Sequence, residues 1–479
     1  MPFASRSVLV VGEPFGPRAL RFALPENVDR VVLLVALRKI EGVHDVVLTE
    51  AMGAVFFHRD AHTIAIDVAT ALAKTPQSRA SGLRPTHVVP VVYDGADLAA
   101  VAEALGTSTA DVVARHTARA LDVAMMGFVP GFAYLRGLDS TLNVPRRSPR
   151  PRVPKGSVAI AAGYGAVYPF ASPGGWNLLG RAAFAPFDGG GATLALGDRV
   201  QFTSVSALPD EPFVPALSPS GTGLRVTALG GPALLVDGGR LGHAHEGVPP
   251  GGPLVPTAMA LANRAAGNTS GTCAIEHYGT ITVRADVALT IADHHGPRAL
   301  APGETYAATR DASVRVAYLA VRGGFDVPVV LGSRTTLLVA ALGGHHGRWL
   351  VRGDVLPTRD GVTGMEIDDD DDDEIRVLPG PDVIEGAFAT VTSSTFRVAP
   401  SSDRTGTRLE GPPLPADAEP ARPSTPMVRG AIQLAPSGLV VLGPDHPTTG
   451  GYPVVGIVPP ASLNRLFSRP LGAYFRFNT

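Results

Sequence analysis

The sequence predicts a β-rich α+β protein built from several small barrels or sandwiches. Three observations lead there. Short β-branched, alternating segments of strand length recur along the chain. Glycine (55 residues) and proline (44 residues) punctuate them throughout. Helical periodicity is confined to a few stretches. With 479 residues, 45% hydrophobic and 18% charged, the chain can bury a large core and is not disordered. At roughly 150 residues per domain, its length argues for three or four units.

The helix-period stretch "VDRVVLLVALRKI" (28–40) falls in the first unit, 1–84, a small α+β domain. A new strand, "VVPVVY", follows "SGLRPTH" and opens a second unit, 85–208. Inside it "DLAAVAEALG" (97–106) and "STADVVARHTARAL" (108–121) read as paired helices. Leu98, Val101 and Leu105 share a face, Gly106 ends the first helix, and Ser108 with Asp111 forms a capping box for the second. Arg115, His116 and Arg119 would be the basic face of a helix-turn-helix. A neutral chain with no second basic patch fits a helical pair flanking a barrel better. "RVQFTSV" (199–205) is a strand, and the Pro/Ser-rich segment 209–223 is a linker. Beyond it, "GLRVTAL" (223–229), "TITVRADVALTIAD" (280–293), "SVRVAYLAV" (313–321) and "STFRVAP" (394–400) are strands, and "PTAMALANRAAG" (256–267) is a helix. They divide into units 224–378 and 379–479, the latter carrying a Pro-rich loop at 414–426.

Charge and composition exclude several functions. The 41 basic and 43 acidic residues nearly balance, so neither nucleic acid nor a membrane is expected as partner. The acidic run Asp368–Glu374 reads as a solvated loop, because adjacent carboxylates repel and cannot be buried together. It lacks the glycine-punctuated spacing of a calcium loop. The single Cys273 excludes a disulfide framework and a zinc ribbon. His243, His245, His294–His295 and His345–His346 sit in Gly-rich loops, where exposure is expected, and no spacing links them, so no metal site is expected. The first residues lack the apolar core and cleavage site of a signal peptide, and "VVLLVAL" (31–37) is too short to span a bilayer. A cytoplasmic location follows. A P-loop, a G-x-S-x-G elbow, an amidase Ser-Ser-Lys framework and a Met-Lys-Met biotinylation site are all missing.

One region combines turn formers with large rings. In "YPFASPGGWNLLGR" (168–181), Ser172 and Pro173 lead into Gly174 and Gly175, glycines free to take unusual backbone angles. Trp176 offers an apolar wall, Asn177 a two-way hydrogen-bonding group and Arg181 an anion clamp. "MMGFVPGFAYLRGL" (125–138) has the same character and carries Tyr134, and Arg146 and Arg147 follow in "NVPRRSPRPRV". Two readings fit: a pocket for a small, planar, anionic molecule, or a barrel whose corners and rings fill a core.

The stretch from "HTARALDVAMMGFVPGFAYLRGL" to "SPGGWNLLGR" resembles the family of the B-type 5-oxoprolinase subunit, also called allophanate hydrolase subunit 1 or the Kip kinase inhibitor. "GGFDVPVVLGSRTT" (323–336), "SDRTGTRLEGPPL" (402–414), "GAIQLAPSG" (430–438) and "TTGGYP" (448–453) resemble the C-type 5-oxoprolinase subunit, or allophanate hydrolase subunit 2. The resemblance implies a natural fusion of the two, with cyclophilin-like β-barrels after a small N-terminal α+β domain. It implies ATP-dependent opening of 5-oxoproline to glutamate, with Mg accompanying the ATP and a separate A-type 5-oxoprolinase subunit serving as partner. The same paired modules form the carboxyltransferase region of urea carboxylase, where biotin is supplied by another domain; a regulator of a sensor kinase is the third implied role. A homo-oligomer is compatible with all three.

Opening a lactam needs an arginine cradle for the transferring phosphoryl group, a substrate anchor and exclusion of water. The residues expected to supply these are His116, Arg146, Arg147 and Arg181, with Tyr134, Ser172, Gly174, Gly175, Trp176 and Asn177 from the first half. From the second half they are Arg334, Asp403, Arg404, Gln433, Thr448, Thr449 and Tyr452. The match to the resembled C-type sequence departs at several places. "VDGGR" (236–240) has Val236 for an amide, and "GVPPGGPLV" (247–255) has Gly251 for a hydroxyl and Val255 for a carboxylate. In "DHPTTGGYP" (445–453), His446 and Pro447 replace arginine and glutamine.

Overall fold

In the computed structural model, which describes residues 12–77, 84–209, 222–359, 361, 364–414 and 422–479, the chain is a β-rich α+β protein. Strands β1 (Glu13–Pro14), β2 (Ala19–Ala23), β3 (Val43–Leu48) and β4 (Met52–Phe57) form an antiparallel sheet in the order β1-β2-β4-β3. Helices α1 (Arg30–Leu37) and α2 (Ala61–Lys74) pack on it through Leu33, Leu37, Ile64 and Val68. Asp29 and Asp60 cap them, accepting hydrogen bonds from Val31 and Thr63 N–H at 3.0 and 2.9 Å. Helix α2 escaped the sequence reading because Ile64, Ile66 and Val68 alternate like a strand. In the fold Ile64 and Val68, one turn apart, are buried, while Ile66 is exposed.

The second unit runs through β5 (Thr86–Val92), α3 (Leu98–Ala104), α4 (Thr109–Thr117), β6 (Leu121–Met126), β7 (Ala133–Arg136), β8 (Arg150–Val153), β9 (Ser157–Ala161), β10 (Tyr164–Val167), β11 (Ser172–Gly174), β12 (Asn177–Ala182) and β13 (Arg199–Ser204). Seven strands close a barrel in the order β10-β7-β6-β13-β5-β12-β9, and β8 pairs with β11 outside it. Helices α3 and α4 pack on each other and flank the barrel at β12 and β13. Their junction follows the sequence: Gly106 is left-handed, and Asp111 N–H donates to Ser108 Oγ at 3.1 Å. The linker 209–223 lies almost wholly outside the described residues.

The third unit comprises β14 (Gly223–Leu229), β15 (Ala233–Val236), α5 (Pro256–Ala265), β16 (Ala274–His277), β17 (Ile281–Ala285), β18 (Leu289–Asp293), β19 (Gly296–Leu300), β20 (Thr305–Ala308), β21 (Ala317–Val321) and β22 (Val355–Pro357). The expected strand 280–293 is two strands, β17 and β18, which join different sheets of four and five strands facing each other across one core. The last unit is a seven-stranded sheet of β23 (Leu378–Pro379), β24 (Thr395–Val398), β25 (Gly406–Glu410), β27 (Ala431–Ala435), β28 (Gly438–Leu442), β30 (Val454–Ile457) and β31 (Tyr474–Arg476). It carries α6 (Ala387–Ser393), α7 (Pro460–Ser468) and a ribbon of β26 (Thr425–Pro426) with β29 (Thr449–Gly450).

The first sheet packs on the last unit, not only on its sequence neighbour. Phe15, Ala19 and Ala54 share a buried cluster with Met427, Ala431, Val454 and Ile457. The barrel meets the third unit through Phe187, Val248, Leu337 and Leu342. The acidic run is a largely exposed loop tied down by Arg18–Asp368 (2.5 Å) and Arg264–Asp369 (2.6 Å). His294 and His295 are exposed as expected; His345 is instead buried beside Asp354. Among the described residues no group of His, Cys, Asp and Glu side chains is placed to hold a metal, and no helix is long and apolar enough to cross a membrane.

Candidate functional site

The two halves of the chain meet at the turn between β6 and β7. Phe128 there is left-handed (φ 66), which costs energy for an aromatic residue and persists only where the surroundings hold it. The hold comes from the other half: Phe128 N–H donates to Thr449 Oγ1 at 3.0 Å, and Gly131 N–H donates to Glu246 O at 2.8 Å. Beside this junction opens a cleft of about 800 Å³. Phe128–Pro130 and Ser172–Pro173 form one wall, and Tyr278, Leu337–Val339 and Trp349 a second. Ser402–Thr405, Arg408 and Asp445–Pro447 form the third, so three of the four units line it.

A buried ion network stands behind the cleft. Arg404 lies between two carboxylates: Glu276 at 2.6 Å from Nη1 and Asp445 at 2.8 Å from Nε. Its Nη2 also donates to Gly252 O at 2.7 Å. Glu276, 0% exposed, takes further hydrogen bonds from Leu254 N–H and the Tyr278 and Tyr318 hydroxyls. Burial alone would raise the Glu276 carboxyl, but the Arg404 charge and these donors hold it below the usual range. Asp445 goes the other way: burial and the nearby Glu276 charge raise it despite Arg404. Arg315 joins from β21's approach, donating to Thr407 Oγ1 and Asp403 O.

The structure sorts the expected site residues into groups. Ser172, Asp403 and Arg404 line the cleft, and the Ser172 hydroxyl is buried without a partner among the described residues. Thr449 sits at the junction, and the Tyr134 hydroxyl reaches Thr449 and Ser424. The expected ligand-facing wall at Trp176 is instead core. Its ring meets Phe132 and Tyr134 edge to face at 5.6 and 5.7 Å and is 6% exposed. Arg181 lies on the surface and pairs with Asp94, away from the cleft lining. Asn177 ties strands together by donating to Pro145 O and Ile160 O. Arg147 is exposed and approaches Asp97 at 3.4 Å; Arg146 is exposed near the Tyr134 and Tyr168 phenols. Gln433 and Thr448 are buried beside β29, Tyr452 is exposed, and Arg334 borders a separate cavity of about 110 Å³ with Asp237 and Arg359.

Gly174 and Gly175 are needed for close packing rather than for unusual angles; neither has positive φ. A Cβ on Gly174 would overlap the Tyr168 hydroxyl and lie 2.9 Å from its ring, and one on Gly175 would overlap the Arg147 carbonyl. Gly174→Ala is therefore expected to destabilise the chain by about 1–3 kcal/mol through overpacking. Adding Tyr168→Phe should recover part of that loss in a denaturant titration.

His116 belongs to the fold, not to the cleft. Its ring is 0% exposed, stacks on Phe202 at 4.6 Å and shares a 2.7 Å hydrogen bond with the Tyr93 hydroxyl. Burial pulls it down to about 4 from an ordinary 6.5. The unfolded chain therefore binds the proton first, so stability is full above pH 6.5 and falls as pH drops toward 4. The loss is on the order of 3 kcal/mol. A flatter pH dependence of the unfolding midpoint in His116→Gln would confirm it; an unchanged slope would refute it.

Reasoning from sequence missed Glu276, Tyr278, Arg315, Trp349 and Asp445, and met His446 only as a departure from the resembled sequence. A signal existed for two of them. Glu276 and Arg315 are charged residues at apolar strands, in "CAIEHY" and "SVRVAYLAV", and both are buried. A buried charge demands a partner.

Comparison with known proteins agrees with this division into halves. Residues 13–196 match the family described as carboxyltransferase domain, subdomain C and D, and residues 246–479 match carboxyltransferase domain, subdomain A and B. The B-type 5-oxoprolinase subunit of Bacillus subtilis (strain 168) is 41% identical over 125 residues, 25% of this chain and 52% of that protein. In the first half, then, the chain spans about half the length of that relative. The C-type 5-oxoprolinase subunit of Escherichia coli (strain K12) is 32% identical over 279 residues, 53% of this chain and 90% of that protein. The crystal structure of TTHA0988 superposes with a TM-score of 0.82 at 32% identity, covering 96% of this chain and 100% of that one. The chain belongs to the carboxyltransferase-domain family, its first half like the B-type and its second half like the C-type 5-oxoprolinase subunit.

Proposed function

We propose that this chain is a component of an ATP-dependent 5-oxoprolinase, opening 5-oxo-L-proline to L-glutamate together with a separate A-type 5-oxoprolinase subunit. The observation that carries the reading is the cleft of about 800 Å³ lined by both halves. It lies in the roughly 300–1,000 Å³ range of small-molecule sites. Phe128, Pro130, Leu338, Val339 and Trp349 give it apolar walls against which a small ring can pack. Arg408 is exposed there, and no side-chain partner takes its guanidinium among the described residues, so it is free to hold the substrate carboxylate.

The same lining does not fit ATP with Mg. Arg404 and Arg315 are already committed to Glu276, Asp445 and Thr407, which leaves Arg408 as the open cation. One guanidinium is not a triphosphate cradle. We therefore assign nucleotide binding to the partner protein, with no step through it here.

The test is reconstitution of the full chain with an A-type 5-oxoprolinase subunit. Glutamate release that requires ATP, 5-oxoproline and both proteins supports the reading; no turnover overturns it. In the active complex, Arg408→Ala should raise KM for 5-oxoproline about tenfold with little change in folding stability, since the side chain is exposed. The family description favours a second reading, a carboxyltransferase component working on biotin supplied by a carrier. Carboxyl transfer that depends on a biotinylated carrier and not on the A-type protein would establish it.

A further inference from the structure

His446 borders the cleft between Asp445 and Pro447, and its residue surface is 4% exposed. Its Nδ1 lies 2.8 Å from the carbonyl oxygen of Pro447. A carbonyl oxygen only accepts, so Nδ1 carries the proton. In a neutral imidazole the other nitrogen, Nε2, then bears the lone pair. Among the described residues no hydrogen bond is made to His446 Nε2, and the residue lines the cleft. The Nε2 lone pair is therefore not taken up within the described fold. The charged groups nearby are Arg404, Arg408, Arg429, Asp403 and Asp445. Burial holds the imidazole down to about 4, so it is uncharged at neutral pH.

We propose that His446 is a specificity-determining residue, whose Nε2 accepts a hydrogen bond from a ring N–H next to a carbonyl in the bound ligand. An anionic group or one without a proton to donate would find no complement at that point. The inference deepens the function proposed above and rests on the same cleft. Two sources present this chemistry: the lactam N–H of 5-oxoproline and the ureido N–H of biotin. The experiment separates them.

The full chain, alone and with an A-type 5-oxoprolinase subunit, is titrated calorimetrically with 5-oxo-L-proline and with biotin, each beside its N-methylated counterpart. We expect one parent ligand to bind and its N-methyl form to bind roughly tenfold more weakly, the size of a lost buried hydrogen bond. His446→Leu should weaken the parent ligand by the same roughly tenfold factor and abolish the discrimination. His446→Gln, which keeps an acceptor, should retain part of both. Binding of 5-oxoproline with equal affinity for both forms in the wild type overturns the inference but leaves the proposed function standing. Discrimination confined to biotin supports the inference and overturns that function. Binding of neither parent ligand overturns both. Because the wild type alone reads out discrimination, a variant that fails to fold does not remove the test.

Discussion

Arg404→Met is expected to destabilise the chain by about 3–5 kcal/mol, the cost of leaving buried charge without its partner. The reason is geometric. Arg404 is 4% exposed and is the shared cation of Glu276 and Asp445, which are themselves buried. Methionine fills similar volume and supplies no donor, so the loss is electrostatic rather than a cavity. The pH dependence tells this apart from a packing defect. In the wild type the Glu276 carboxyl is held low, so it contributes stability above the ordinary glutamate range and loses it as pH falls through its folded value. Without Arg404, burial dominates and the folded value rises above the unfolded one. The variant should then gain stability relative to the wild type as pH falls from 7 toward 5. Denaturant midpoints measured across that range check it, and a deficit independent of pH would refute the electrostatic account. Adding Glu276→Gln should recover part of the loss, since a neutral amide needs no counter-charge.

Gly127→Ala is expected to loosen the junction of the two halves and to cost about 1–3 kcal/mol. A Cβ there would overlap Thr449 Oγ1 and stand 2.5 Å from Thr449 Cγ2, atoms contributed by the other half of the chain. Relief by movement would break the 3.0 Å hydrogen bond from Phe128 N–H and release a left-handed aromatic residue that lines the cleft. Activity in the reconstituted complex should therefore fall more than stability alone explains. Thr449→Ala removes the clashing atoms, so the double variant should be more stable than the sum of the single changes by about 1 kcal/mol or more. Simple additivity would place the clash elsewhere.

Much of the fold was legible because its signals are local. The Ser108–Asp111 capping box and the left-handed Gly106 depend on four or five neighbouring residues, and both form as read. Strands β13 and β14 fall where alternation put them. Helix α2 did not, since Ile64, Ile66 and Val68 mimic a two-residue period. The site was less legible. Gly174–Gly175 and Trp176 looked like a ligand platform, yet the rings close on one another and the glycines make room for Tyr168 and Arg147. Aromatic rings beside glycine serve a core as readily as a pocket, and only the neighbours decide.

Sequence alone settled the β-rich class, the position of the capped helices, the near-neutral charge and the family resemblance of each half, because those follow from periodicity, composition and contiguous motifs. Tertiary structure alone settled which residues meet. Glu276 and Arg404 are 128 positions apart, and Phe128 and Thr449 are 321 apart. Pairing across such distances is chosen by the burial of whole sheets and by the need of each buried charge for an opposite one. No local pattern in the chain encodes that choice.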